Sequence, residues 1–461
     1  MTPKKILFGC VPADGHFNPL TGLAMHLKSK GHDVRFYTQE IYKEKLDKMG
    51  IPFYPFVNAP QSNVFNFESF YPERAKIKSQ VGKFRYDLEH IFVGNTMKCF
   101  EDIKNIHESF PFDVFIADIL MTAPPIVKEK LNVPVIAVGV IPLMETSRDL
   151  PPGGLGWHPA TTLFGKAKHA LMRKLTDRMI FSRPNKLFRQ LMIENGIQPP
   201  PGNLFDMLYR SASVVLQSGT PGFEYSRSDM SKNIRYVGPL LPFSQRERKP
   251  YQIPNREKYK KVVLVTQGTV EKDPQKLIIP TIEAYKNSRT LVIVTTGGHN
   301  TKELRERYTQ SNIIIEDYIP FNDVMPLVDV YITNGGYGGV LLGIQNKVPM
   351  VVAGVHEGKN EICARVGYFK LGIDLRTELP IPRQIFKAVE EVAANPLYRK
   401  NVKKLAEEFL QYNSAELCEK YVDELLDQSE NESPVPSKNE LPVQSKGDVY
   451  IMPNAYPGEA V

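Results

Sequence analysis

Short apolar runs alternate along this chain with longer stretches whose apolar residues fall three and four apart. Residues 4–11 (KKILFGCV) are such a run, residues 12–19 (PADGHFNP) are rich in turn formers, and residues 20–31 (LTGLAMHLKSKG) have helical spacing that ends at Gly31. Strand, loop and amphipathic helix in that order are one βα unit. The pattern returns as runs at 33–39, 112–120 and 133–139, with a helical stretch at 123–132 before the last. Repetition of this kind predicts a parallel sheet covered by helices. It restarts after residue 260, with strands at 261–268, 289–298, 312–319, 329–336 and 348–354 and a helix at 274–287. The fold class is therefore α/β, with two doubly wound halves.

Polar, proline-bearing residues 243–260 separate the halves and read as a linker between an N-terminal domain, 1–242, and a second domain, 261–395. Residues 396–428 are an amphipathic helical segment that ends the second domain and is a candidate to cross back to the first. Residues 429–461 begin with a stretch almost without large apolar residues and predict a disordered tail. Two irregular stretches, 57–75 and 145–165, carry aromatics, Pro and Gly inside the first half. Loops of that length are either binding loops or a packed satellite of the core.

A length of 461 residues exceeds what one core sustains, so composition agrees with two domains. An apolar share of 42 % and a charged share of 24 % exclude wholesale disorder. The net charge of +7 attracts anions but is too dilute to imply nucleic acid. Near the N-terminus the apolar run from Ile6 to Val11 is too short for a signal peptide, and no stretch reaches the roughly 18–20 apolar residues of a membrane span. Cys10, Cys99, Cys363 and Cys418 are far apart, which predicts neither a zinc site nor a disulfide framework and fits a reducing cytoplasm. The sequence also shows no amphipathic basic membrane face.

Chemistry in open α/β sheets sits at the carboxyl ends of the strands. There the first loop carries Asp14, Gly15 and His16, and a later strand ends at Asp118. A histidine at that edge suits a general base, and an Asp on its far nitrogen fixes the tautomer and stabilises the imidazolium. A lone histidine is otherwise a surface or capping residue. No GxSxG serine accompanies the pair, so the substrate's own hydroxyl is the group to be activated. In the second half, TQGT (266–269), TTGG (295–298) and TNGGYGGV (333–340) follow strands, where glycines let backbone N–H groups approach a phosphate.

Together these residues resemble the family 1 glycosyltransferases of the GT-B type, over nearly the whole chain to about residue 428. GHFNP resembles the family's GHxxP loop, which implies His16 as catalytic base with Asp118 as its partner. VGPL at 237–240 resembles the end of the first domain, and QGT at 267–269 the phosphate loop. The stretch from Glu316 to Gly354 is similar to the donor signature. The resemblance implies two Rossmann-like domains with a crevice between them, an acceptor in the first domain and a nucleotide sugar in the second. It implies donor contacts from Gly15, Gln267, Gly268, Thr269, Tyr318, Ile319, Asn334, Gly335, Gly336, Tyr337, Gly338, Gly339 and Val340. It also implies inversion at the anomeric carbon, with no cofactor beyond the nucleoside-diphosphate sugar and no metal.

Departures from the family pattern bear on the donor. Tyr318 stands in place of a tryptophan beneath the base, Asn334 in place of a histidine, and Gly339 in place of a Ser or Thr. Leu342 stands where UDP-sugar enzymes carry a glutamate for the ribose hydroxyls; deoxyribose has one hydroxyl fewer to leave unpaired, which favours a dTDP-sugar such as dTDP-rhamnose. Gly358 and Lys359 replace the Asp-Gln pair that grips the sugar, leaving Glu357, Lys359, Asn360 and Glu361 as candidate contacts or as a solvated loop. Phe65, Phe67, Phe70 and Tyr71 in the first long loop, Met121 after Asp118, and Trp157 in the second long loop would make an apolar wall for a phenolic, polyketide or terpenoid acceptor. The expected partners are that acceptor and the nucleotide sugar, with no nucleic acid, in a monomer or weak homodimer. Three rivals stay open: a nicotinamide dehydrogenase, against which the first loop lacks GxGxxG; a non-catalytic nucleotide-binding protein; and a lipid-linked sugar transferase of the same fold.

Overall fold

The computed structural model describes residues 3–63, 66–243, 251–253, 255–268 and 270–431, the side chains of 428–431 excepted. Seven strands form the first sheet: β1 (Lys5–Gly9), β2 (Asp33–Thr38), β3 (Phe53–Pro55), β4 (Val114–Asp118), β5 (Val135–Gly139), β6 (Val214–Gln217) and β7 (Ile234–Tyr236). Their order is β3-β2-β1-β4-β5-β6-β7, every pair parallel. The second sheet holds β8 (Lys261–Thr266), β9 (Thr290–Thr295), β10 (Ile313–Glu316), β11 (Val330–Thr333), β12 (Met350–Val352) and β13 (Gly372–Asp374). Its order is β10-β9-β8-β11-β12-β13, also parallel throughout.

Helices cover both faces of each sheet, so the strands are buried on both sides and read as continuous apolar runs; β4 and β5 are buried at every residue. Each sheet has one topological switch point, between β1 and β4 in the first and between β8 and β11 in the second. The connections that follow the two neighbouring strands leave toward opposite faces of the sheet there, which opens a crevice at the strands' carboxyl ends. The loops that sequence singles out, after β1, β4, β8 and β11, flank these two points.

The C-terminal segment is two helices, not one. Pro396–Phe409 puts Val402, Leu405 and Phe409 into a core of the second domain. Ser414–Asn431 then crosses back to the first, where Cys418, Val422 and Leu426 join Leu20, Leu23 and Leu27 of the helix Asp14–Ser29. Glu419 holds it there, 2.7 Å from His26 Nε2 and 3.1 Å from Lys30 Nζ. This helix runs three residues past the expected boundary at 428; the rest of the expected tail lies outside the described residues. The stretch 145–165 is irregular only as far as Thr162, whose hydroxyl accepts from Gly165 N–H and starts the helix Leu163–Thr176.

Because Leu426 is 5 % exposed and belongs to the first domain's core, truncating it removes packing that only the crossing helix supplies. Leu426→Ala is expected to lower stability by about 2–4 kcal/mol, read from the urea unfolding midpoint.

Candidate active site

His16 lies in the first turn of the helix Asp14–Ser29, directly after β1, and Asp118 is the last residue of β4. Since β1 and β4 pair in register with Gly9 opposite Ala117, the two side chains emerge side by side at the switch point. His16 Nδ1 is 2.6 Å from Asp118 Oδ2, the aspartate fully buried and the histidine 15 % exposed. The carboxylate oxygen lies off the ring N–H direction, so the contact is a close approach of the two groups short of an aligned hydrogen bond. Asp118 Oδ1 accepts from Leu120 N–H at 3.0 Å, which fixes the carboxylate. Nδ1 faces the aspartate, leaving Nε2 to work on a substrate. Beside Gly15 the first turn is open: a carbon added there would meet nothing within 4 Å.

Across the crevice the Gly-rich loop after β11 leads into the helix Tyr337–Gln345, whose N-cap is Gly336 and carries no side-chain cap. Its first-turn N–H groups are left for an anion. Gly335 has φ +81° and a Cβ there would lie 2.4 Å from Cys363 Sγ, so backbone freedom and close packing both require glycine. Gly338 faces open space, whereas a Cβ at Gly339 would come 3.2 Å from Tyr331 Oη. A side chain at 339 would be in tight contact with the Tyr331 hydroxyl.

Several predicted donor residues turn their side chains inward. The Gln267 side chain, 3 % exposed, accepts from Leu277 and Ile278 N–H and donates to Asp273 O, so it anchors the start of the helix Ile278–Tyr285. The Asn334 amide donates to Gln267 O and ties the β8 and β11 loops together. Ile319 and Val340 belong to the core, and Tyr337 stacks on Phe223 and donates to Ser218 O at 2.9 Å. What these five offer a ligand is therefore backbone. Tyr318, by contrast, is 75 % exposed and lies over the loop after β9, donating to Gly297 O at 3.0 Å. Gly268, with φ +75°, abuts Asn334; Thr269 lies outside the described residues.

The loop after β12 carries the other donor candidates. Glu357 is held at φ +56°, and its carboxylate pairs with Lys359 Nζ at 2.6 Å. Lys359 sits beside Gly335 and Gly354, close to the anion-binding turn. The structure corrects the next two positions. Asn360 Nδ2 donates to Gly154 O at 2.6 Å, and Glu361 Oε1 accepts from Gly154 and Gly156 N–H at 2.9 and 2.8 Å. They hold the long loop of the first domain, not a sugar. Glu361 also meets Arg365, whose guanidinium reaches Glu224 of the first domain at 2.6 Å. Sequence reasoning missed Glu224 and Arg365; the spacing of Glu361 and Arg365, four apart on a helix, was the only legible signal.

Of the acceptor candidates, Trp157 lines a groove of about 570 Å³ shared with Asn360 and Gly354 of the second domain, and Lys168 Nζ stands 4.8 Å from its ring. Met121 is a correction: at 4 % exposure it packs in the core with Phe115, because the chain turns inward after Asp118. Phe67 and Phe70 lie on a short helix, Phe70 half exposed and Phe67 under the Arg74 guanidinium. Tyr71 accepts from Asn95 Nδ2. Phe65 lies outside the described residues.

Two doubly wound domains facing each other across a crevice, with a His-Asp pair on one side and a glycine-rich helix entrance on the other, define a GT-B architecture. Residues 101–409 match the family model described as UDP-glucoronosyl and UDP-glucosyl transferase, and residues 13–147 match the glycosyltransferase family 28 N-terminal domain. The chain is 30 % identical to 4'-demethylrebeccamycin synthase of Lentzea aerocolonigenes, over 88 % of this chain and 95 % of that one. It is 26 % identical to UDP-glucosyltransferase A1 of Starmerella bombicola, over 92 % of each. Among solved structures, the glycotransferase of kitacinnamycin superposes with a TM-score of 0.72 at 17 % identity, covering 92 % of this chain and all of that one. The calicheamicin glycosyltransferase CalG4 gives 0.70 at 20 % identity, covering 94 % and all of it. The chain belongs to the UDP-glucuronosyl and UDP-glucosyl transferase family and is a glycosyltransferase.

Trp157 is the chain's single tryptophan, so its emission reports the loop that Asn360 and Glu361 hold. A side chain at Gly156 (φ +62°) would come within 2.9 Å of Asn360 O. Asn360→Ala and Gly156→Ala are each expected to raise acrylamide quenching of Trp157 by about twofold. Unchanged quenching in both variants would show that these bonds do not hold the loop.

Proposed function

We propose that this protein is an inverting glycosyltransferase that moves a sugar from a nucleoside-diphosphate sugar to a hydroxyl of a small lipophilic acceptor. The observation that carries the reading is the 2.6 Å contact of His16 with the buried Asp118, opposite the uncapped helix entrance at Gly336. His16 Nε2 takes the proton of the acceptor hydroxyl as that oxygen bonds to the anomeric carbon. The bond from that carbon to the β-phosphate oxygen breaks with its electron pair on the leaving diphosphate. Attack comes from the face opposite the leaving group, which inverts the centre. Asp118 stabilises the imidazolium, and the first-turn N–H groups after Gly336 meet the growing charge on the diphosphate. No metal is needed for that charge in this scheme, so chelation with EDTA is expected to leave the rate unchanged. Four unpaired thiols, Cys10, Cys99, Cys363 and Cys418, suit a reducing cytoplasm. Among the described residues no helix is long and apolar enough to cross a membrane.

For the donor we favour a dTDP-sugar, with a 6-deoxy sugar such as rhamnose. Leu342 is apolar and packs against the second domain's core, so the helix offers no carboxylate at the position where ribose hydroxyls are met in UDP-sugar enzymes. In place of the Asp-Gln pair the sugar meets one ammonium, Lys359, and one carboxylate, Glu357. A UDP-sugar is the second reading, favoured by curated relatives named UDP-glucosyltransferases.

Calorimetry with dTDP and UDP in parallel is expected to give about tenfold tighter binding of dTDP, the effect of one unpaired hydroxyl. Tighter UDP binding would overturn the donor assignment and leave the enzyme class standing. His16→Ala is expected to lower turnover by about 10²–10⁴-fold with nucleotide affinity unchanged. Full activity in that variant would remove the assigned base.

A further inference from the structure

The helix Leu163–Thr176 is turned inside out. Only His169 and Thr176 of its fourteen residues are buried, while Leu163 is 87 %, Phe164 84 % and Leu171 59 % exposed. The chain continues helically through Asp177–Phe181 and Ser182–Glu194, with Met179 63 % exposed. At about 100° per residue, Leu163, Phe164, Leu171 and Leu175 fall on one face, with Lys174 and Arg178 among them and Lys166 and Lys168 at its margins. From Leu163 to Arg189 the chain holds eight Lys or Arg and one acidic residue, Asp177. Lys174 and Arg178 make no ion pair among the described residues, while Lys166 lies within electrostatic reach of Asp149. The expectation of no basic amphipathic face is thus corrected: the sequence hides it because the apolar spacing is that of an ordinary core-facing helix.

We infer that this face docks the protein on an anionic lipid surface. Exposed Leu and Phe side chains enter the acyl boundary, and the long basic side chains reach the headgroup phosphates with their stems along the apolar surface. Charge decides between occupants. A second copy meeting this face about a two-fold axis would oppose one basic cluster to another. A nucleic acid would satisfy the cations but leave Leu163 and Phe164 in water. A bilayer carrying anionic lipid matches both. The same helix borders the proposed acceptor groove, since Lys168 lies over Trp157 and the His169 ring is tilted against it at 5.9 Å. Docking therefore brings the mouth of that groove to the lipid, from which a lipophilic acceptor would enter. Docking itself is independent of the proposed reaction; this route for the acceptor rests on it.

The test is co-sedimentation of the full chain with vesicles of phosphatidylcholine alone and with about 30 % phosphatidylglycerol. At least about tenfold stronger partition onto the anionic vesicles is expected, falling as salt is raised. The double variant L163S/F164S and the triple variant K166E/K174E/R178E are each expected to lose about tenfold in partition, with far-UV circular dichroism unchanged. Equal partition onto both vesicles overturns the inference, as does wild-type partition in L163S/F164S. A wild-type dimer in sedimentation velocity that L163S/F164S abolishes would assign the face to a second copy and overturn it too. Nucleotide titration of the same samples keeps the two proposals apart: vesicle binding without nucleotide binding sinks the enzymatic reading alone.

Discussion

The Arg365 guanidinium, buried between Glu224 of the first domain and Glu361 of its own helix, fixes how the two domains face each other. Burying a charge in this way costs several kcal/mol of desolvation, which the two carboxylates offset only in one geometry. Such a network specifies an arrangement more than it adds stability. Everything in the crevice depends on that arrangement. Through Glu361 it fixes the glycines at 154 and 156 that flank the approach to Trp157. Tyr225 and Phe223 pack against Phe369 beside the same contact.

Backbone and side chain divide the donor site between them. Gln267, Asn334, Tyr337 and Val340 spend their side chains on anchoring loops and filling the core. That leaves the glycines to present N–H groups at the crevice edge. The Cys363 thiol, packed beneath Gly335, keeps that loop to glycine. Few side chains remain free along these loops, and two of them, Tyr318 and Lys359, are positions where this chain departs from the family pattern.

The acceptor side is built differently. Its loop is long and held by hydrogen bonds from the other domain, and it is continued by a helix whose apolar residues face outward. The groove at Trp157 opens beside the exposed apolar residues of that helix, with Lys168 and His169 on its wall.

Alternating apolar runs and amphipathic stretches determined the two parallel sheets, because burial on both faces leaves an uninterrupted apolar signature in each strand. The position of GHFNP after the first strand and of Asp118 at the end of another determined the His-Asp pair, since adjacent parallel strands deliver their terminal residues to one edge. Tertiary structure alone decided which side chains near the glycine loops face a ligand. Gln267, Asn334 and Met121 look suited to a site as residue types, but what they touch depends on neighbours far along the chain. The contact of Glu224 with Arg365 spans 141 residues, and that of Gly156 with Glu361 spans 205. No local periodicity records such pairs. The helix Leu163–Thr176 was not read from the sequence, and helical spacing would not have given its sense, because the same spacing serves a stripe that faces a core and one that faces outward.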